Sequence, residues 1–386
     1  MSRCPHCFQA LSEDRYAFMC VSGRCERKLD PVASALHGSD VSVAPWVRVE
    51  RPPRARGWVP PVEVPCASCS QPGREVCPEC RYELPPGWRQ TVTLCVAMAG
   101  ARATGKSVFV GVLVKLLGQL CEARGTSLVP AEPRTADTYR TVYERALFEQ
   151  RGLLEPTPAA RTASSYQRHP LVYSLGRVSG RPVSLVVRDV AGEELESADT
   201  DTRHLEFFAH ADGVLFMFDP LRVPEVRDQL HDLVPAELIS GGEPQQVLAK
   251  VMHLIGDGPA RLAVILSKFD AMQFLSRVEG TSWNRVMSQP GAAFLRDRNS
   301  PADAYDDVDG QLLHQEVRSL LQRLGATSIV SAVERPHRGR PVEHRFFSVS
   351  ALGEPANGES LHERGISPFR CLDPLRWLMS RSGALS

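Results

Sequence analysis

Apolar and polar positions follow two different regimes along this chain, and the change comes near position 90. Beyond it, Thr91–Ala99 is a continuous apolar run, as expected of a strand covered on both faces in a parallel sheet. Ser107–Leu120 follows with helical length and apolar spacing. Further strands are predicted at Leu171–Gly176, Val183–Val190, Gly213–Asp219, Leu262–Ser267 and Arg345–Ser350, with helices at Thr138–Gln150, Val247–Ile255 and Val308–Leu324 between them. Strands alternating with helices argue for a doubly wound α/β sheet. Residues 271–307 and 325–344 are irregular, contain Arg and Pro, and read as loops or insertions. There is no repeat of solenoid spacing.

Ahead of this region the chain is rich in Cys, Pro and Arg, and neither period is sustained. Four segments result: a cysteine module at 1–38, a Pro/Arg-rich extended connector at 39–65, a second cysteine module at 66–88, and an α/β domain at 91–381. A chain of 386 residues has room for one large domain and something smaller. Its 45 basic and 45 acidic residues cancel. A protein built to grip nucleic acid would carry a basic excess, so that class is disfavoured. The N-terminus runs into cysteines and charges rather than a signal peptide, and the most apolar stretch, Thr91–Gly100, is about half the length of a membrane span. The expected location is the cytoplasm. Basic residues are nearly all Arg, so the five lysines (Lys28, Lys106, Lys115, Lys250 and Lys268) stand out.

One of them closes a phosphate-binding signature. The first strand ends in Gly100-Ala-Arg102-Ala103-Thr104-Gly105-Lys106-Ser107, a complete G-x-x-x-x-G-K-S. Its glycines permit a tight turn, so that backbone amides from Ala103 to Val108 face phosphate oxygens at the positive end of a helix. Lys106 places a cation on the β/γ-phosphates, and the Ser107 hydroxyl is a Mg²⁺ ligand. The strand Val183–Val190 ends in Asp189-Val-Ala-Gly192, where Asp189 holds the Mg²⁺ water shell and the Gly192 amide senses a γ-phosphate. Ser267-Lys268-Phe269-Asp270 follows a later strand. The Asp270 carboxylate can accept from guanine N1–H and N2–H₂, which adenine lacks, while the Lys268 stem covers the base. Ser350-Ala351-Leu352 is placed to meet guanine O6 with a backbone amide.

In order and at strand ends, these four segments resemble the first, third, fourth and fifth nucleotide-binding motifs of Ras-like GTPases, over roughly residues 91–381. The resemblance implies a P-loop NTPase three-layer α/β sandwich with a mostly parallel sheet. Ser267 departs from the usual Asn or Thr. The resemblance also implies a switch threonine before the second strand. Thr135, Thr138, Thr141, Thr157 and Thr162 are available, and Thr157 is the choice because it precedes strand Leu171–Gly176. Relatives place Gln after D-x-x-G to orient the attacking water, whereas this chain has Glu193, so hydrolysis is expected to be slow, partner-dependent or absent. Residues 193–208 would be the second switch. Their acids are equally explained as a solvated face.

Eight of the eleven cysteines form close pairs: Cys4/Cys7, Cys20/Cys25, Cys66/Cys69 and Cys77/Cys80. Such pairs hold tetrahedral zinc, and four pairs supply two structural all-thiolate sites. Sequential pairing closes the shortest loops and is the default, with an interleaved arrangement as the alternative. Cys95, Cys121 and Cys371 read as core residues, and His6 as exposed rather than a ligand.

Zinc modules followed by a P-loop domain with Asp189-Val-Ala-Gly-Glu193 and a C-terminal Asp373-Pro-Leu-Arg-Trp377-Leu resemble the bacterial double-GTPase proteins of the TRAFAC class. That resemblance implies a GTP/GDP-binding and GTP-hydrolysing, Mg²⁺-dependent switch in signalling or defence, acting with a second GTPase, with the zinc modules for docking. The alternatives are a non-hydrolysing nucleotide-bound scaffold and a zinc-ribbon ATPase acting on nucleic acid.

Overall fold

The structure, a computed structural model, describes residues 2–152, 154, 169–197, 201–230, 243–277, 282–297, 304–336, 339–354, 361 and 365–382. Strands in the cysteine-rich region are β1 (Arg15–Cys20), β2 (Lys28–Leu29), β3 (Ser42–Val43), β4 (Trp46–Glu50), β5 (Val64–Pro65) and β6 (Pro72–Val76). Those beyond it are β7 (Val92–Ala99), β8 (Val129–Pro130), β9 (Leu171–Val178), β10 (Arg181–Arg188), β11 (Gly213–Phe218), β12 (Arg261–Leu266) and β13 (His344–Ser348).

The apolar runs assemble into one seven-stranded sheet in the order β13-β12-β11-β7-β10-β9-β8. Its five central and edge strands β13, β12, β11, β7 and β10 are parallel, while β9 and β8 add antiparallel pairings. The fold is the expected α/β type with a mostly parallel sheet. β7 and β11 lie at its centre, and Val96–Ala99 and Val214–Phe216 are fully buried there, which is why these segments show no alternation. Cys95, Cys121 and Cys371 are core residues, as expected.

Three helical predictions need adjustment. The helix placed at 138–150 starts earlier, as Pro133–Thr138, with Pro in its first turn, and continues as a π-helical stretch Tyr139–Glu149. That stretch packs on helix Lys106–Ala123 at Gly111, where an added Cβ would lie 2.7 Å from Leu147 Cδ1. Segments read as irregular contain helices Ser282–Met287 and Thr327–Glu334. The last packs against helix Pro244–Ile255, a tertiary contact that its short sequence does not announce.

The larger correction lies in the first 90 residues. They do not form two modules separated by a connector. β1 pairs with β4 on one side and β6 on the other, giving a four-stranded antiparallel sheet in the order β4-β1-β6-β5. Residues 46–50, inside the expected connector, are its edge strand. Part of this unit shares a core with the large sheet: Phe8, Leu11, Tyr82, Leu84 and Trp88 belong to the same buried cluster as β7 and β10. Ala17, Met19, Val43 and Val76 form a second, smaller cluster.

Candidate functional site: a phosphate loop, a buried aspartate and two cysteine clusters

Gly100 leaves β7 with φ 145°, and a Cβ there would lie 2.1 Å from the Met217 carbonyl oxygen, so only glycine fits. Gly105 (φ 86°) and Ala103 (φ 56°) complete the turn into helix Lys106–Ala123. The Lys106 ammonium is buried and donates to the carbonyls of Gly100 at 2.7 Å and Ala101 at 2.8 Å. Burial holds its pKa down to about 8, against the pull of Asp189.

β7 and β10 are parallel neighbours, so the serine after Lys106 meets the aspartate after Arg188. The Ser107 hydroxyl donates to Asp189 Oδ2 at 3.2 Å. Asp189 Oδ1 is buried and makes no hydrogen bond among the described residues. Burial pushes the Asp189 pKa up to about 6, with Lys106 and Ser107 opposing. A buried carboxylate oxygen with unused lone pairs beside a serine hydroxyl suits a phosphate-bound Mg²⁺, and the neighbouring lysine is a cation for the phosphate itself.

Gly192 lies hard against the loop, where an added Cβ would be 2.3 Å from the Arg102 nitrogen. The acids that follow Gly192 are not uniformly solvated. The Glu196 carboxylate accepts from the Arg102 amide at 2.8 Å, Glu193 pairs with the Arg102 guanidinium at 3.1 Å, and Glu194 lies 3.8 Å from His204. Thr157 and Thr162 lie outside the described residues. Thr135 is buried and accepts from the Val172 amide at 3.1 Å.

After β12, the Ser267 hydroxyl turns inward to the Phe218 carbonyl at 2.9 Å. Lys268 (φ 50°) places its ammonium 3.1 Å from Asp219. Burial raises the Asp270 pKa, and its carboxylate accepts from the Ser350 hydroxyl, which itself accepts from the Gly353 amide at 2.9 Å. Ala351 and Leu352 continue from there as a half-buried bend.

Two residues of this site had no motif to reveal them. Asp219, 2% exposed, accepts from the Leu221 amide and pairs with Lys268 and Arg222. Arg222 reaches the Arg102 carbonyl, linking the phosphate loop to the segment that follows β11. The only signal is a carboxylate ending an otherwise wholly apolar strand.

The cysteines come together in nested sets, neither sequential nor interleaved: Cys4, Cys7, Cys77 and Cys80 in one, and, within that span, Cys20, Cys25, Cys66 and Cys69 in the other. Sequential pairing is thereby corrected. Sulfurs are 3.5 Å apart for Cys4/Cys80, 3.7 Å for Cys7/Cys77, 3.5 Å for Cys20/Cys69 and 3.8 Å for Cys25/Cys66. A tetrahedron of ~2.3 Å Zn–S bonds has edges of about 3.8 Å, so both sets fit zinc and are far too open for disulfides. Three pairs share one turn. The residue after the second cysteine (Phe8, Ser70, Arg81) has positive φ and returns its amide to the first cysteine's carbonyl. The shortest-loop argument failed because loop closure costs only about 0.6 kcal/mol per doubling of length. Pairing β1 with β6 outweighs that. Since the two strands are antiparallel, Cys20 and Cys77 end up at opposite ends of the pair. His6 is fully buried, stacked on His37 at 3.8 Å, not exposed.

The sequence model of the Double-GTPase 2 family matches residues 94–324. A protein of Mycolicibacterium smegmatis (strain ATCC 700084 / mc(2)155) described as "Putative ESX-1 scaffolding and assembly protein SaeC" is 50% identical over 386 residues, covering 100% of both chains. No helix among the described residues is long and apolar enough to cross a membrane.

Proposed function

The chain belongs to the Double-GTPase 2 family, and from that premise we propose that it is a guanine-nucleotide-binding assembly scaffold whose nucleotide state sets how its zinc module meets a protein partner. The observation that carries this reading is Asp189, whose Oδ1 is buried without a hydrogen bond among the described residues while Oδ2 holds the Ser107 hydroxyl beside Lys106. Ser107 and Asp189 would hold Mg²⁺. Lys106 would exchange the carbonyls of its own loop for phosphate oxygens, joined by the amides of Ala103 to Val108 and of Gly192. Bound Mg²⁺ supplies the positive charge that neutralises the β- and γ-oxygens. Asp270 would accept from guanine, the Lys268 stem would cover the base, and the Ser350–Leu352 bend would present an amide to O6.

Assembly, rather than signalling alone, is favoured by the description of the relative as a scaffolding and assembly protein. The partner is therefore a protein, and a second GTPase fits the family. Glu193 engages Arg102 in this structure, so turnover is slow without a partner. Thr157 is the proposed switch threonine. Two structural zinc ions hold the docking module, and reduced thiolate clusters suit the cytoplasm. Calorimetric titration with GTP, GDP and ATP analogues in Mg²⁺, paired with a phosphate-release assay, tests this. Guanine binding with ATP silent is expected. ATP binding, or no binding at all, overturns it.

A further inference from the structure

Between the phosphate loop and the first thiolate cluster stands one buried arginine. Arg188 ends β10 and directly precedes Asp189. It is 5% exposed, donates to the His6 carbonyl at 2.5 Å, and lies 3.8 Å over the Phe207 ring. His6 is inside the Cys4–Cys7 turn, and Phe8, which follows it, meets Phe207 edge-on at 5.2 Å. A divalent ion with four thiolates carries a net charge of about −2. Burial pulls the Arg188 pKa down to about 10, and the nearby Cys7 and Cys80 oppose that shift, so a negative charge on this cluster compensates the buried cation.

A second line of contact runs parallel to the first. His37 stacks on His6 and shares a hydrogen bond with the Cys80 carbonyl at 2.9 Å. Next to it, Gly38 sits so close to His204 that an added Cβ would be 3.0 Å from that residue's Cβ. His204 in turn lies 3.8 Å from Glu194. Arg188, five residues before the segment 193–208, and His204 within it thus reach the Cys4/Cys7/Cys77/Cys80 cluster through His6 and through Gly38 beside His37. The Cys20/Cys25/Cys66/Cys69 cluster lies at the far end of the small sheet with its own core.

We propose that the Cys4/Cys7/Cys77/Cys80 zinc site transmits the nucleotide state, with Arg188 as the positioning residue that ties its thiolate charge to Asp189 and the second switch. The inference rests on the nucleotide-binding reading. Coupling of this kind is reciprocal: triphosphate ordering the second switch tightens zinc at this cluster, and zinc loss weakens nucleotide binding by the same factor.

The test follows zinc release from the full wild-type chain into a colorimetric chelator, with and without Mg²⁺ and a non-hydrolysable GTP analogue. The phase belonging to each cluster is assigned with Cys69→Ser. The analogue is expected to slow release from the Cys4 cluster about fivefold or more and leave the other phase unchanged. Arg188→Met, with both zinc ions retained, should abolish the difference, and Arg188→Lys should restore part of it. Because the wild-type measurement stands alone, a variant that fails to fold does not rescue the idea. Analogue binding seen by calorimetry, with both release phases unmoved, overturns this inference while leaving the nucleotide reading intact. Failure of the analogue to bind removes both.

Discussion

The Ser350 hydroxyl donates to the Asp270 carboxylate, joining the ends of two parallel strands that are 80 residues apart in sequence. The bond pre-sets the carboxylate that would read guanine, and burial of that carboxylate makes an unpaired state costly. Asp270→Asn replaces one acceptor with a donor facing guanine N1–H. It should lower guanine-nucleotide affinity by about 100-fold, in the range for a lost charged hydrogen-bond pair, and erase preference over ATP. Calorimetry on the two nucleotides decides it. Unchanged selectivity would move base recognition elsewhere.

Lys106 gives up two carbonyl hydrogen bonds to its own loop when it turns to phosphate. Lys106→Ala should abolish detectable triphosphate binding without lowering the melting temperature, because a buried ammonium is already costly. Ser107→Ala should leave a weaker site that no longer gains from added Mg²⁺. Binding that still responds to Mg²⁺ would exclude the Ser107–Asp189 pair as its ligands.

Glu196 occupies the Arg102 amide with a carboxylate, a position where it repels an incoming phosphate. Glu196→Gln should tighten triphosphate binding several-fold, with a smaller effect on GDP. An equal or weaker affinity would show that the contact does not compete.

Nested cysteine sets make an unusual stoichiometric prediction. The double variant Cys4→Ser/Cys77→Ser disables a single cluster and should retain one zinc per chain, held by Cys20, Cys25, Cys66 and Cys69. Sequential pairing would leave none. Since Cys4 and Cys77 share a core with the large sheet, this variant should also lower the unfolding midpoint of the whole chain. Cys66→Ser should loosen mainly the outer sheet.

His314 accepts from the Phe346 amide at 3.1 Å through Nδ1, which requires a neutral ring. Burial, with repulsion from His344 and Arg345, lowers its pKa from 6.5 to about 4. Between those values the unfolded chain binds a proton that the folded chain refuses. Stability is therefore full above pH 6.5 and falls as pH drops toward 4. Denaturant midpoints of His314→Gln should decline less steeply over that window than those of the wild type; parallel slopes would remove His314 from the account.

Much of the nucleotide domain was legible because its signals are local. Strand β7 is apolar on both faces, the loop after it needs Gly100 and Gly105, and Lys106, Ser107, Asp189 and Asp270 each sit at the end of an apolar run. A parallel sheet gathers such ends on one edge, so order along the chain and position in the site go together. Local chemistry also marked three of the cysteine pairs as tight turns suited to a metal, since Cys-x-x-Cys spacing is short enough to specify its own backbone.

What only the tertiary structure decided is which distant parts meet. The cysteine pairing followed from the β1–β6 register, and a loop's length constrains that choice only logarithmically. Asp219, Arg222 and Glu196 became part of the site through contacts across 49 to 120 positions of sequence or between separate motifs. Arg188 has the same origin, since its partner His6 is 182 residues away. A sequence pattern reports burial and turn geometry residue by residue. It carries no term for a charge whose partner arrives only when the small sheet docks on the large one.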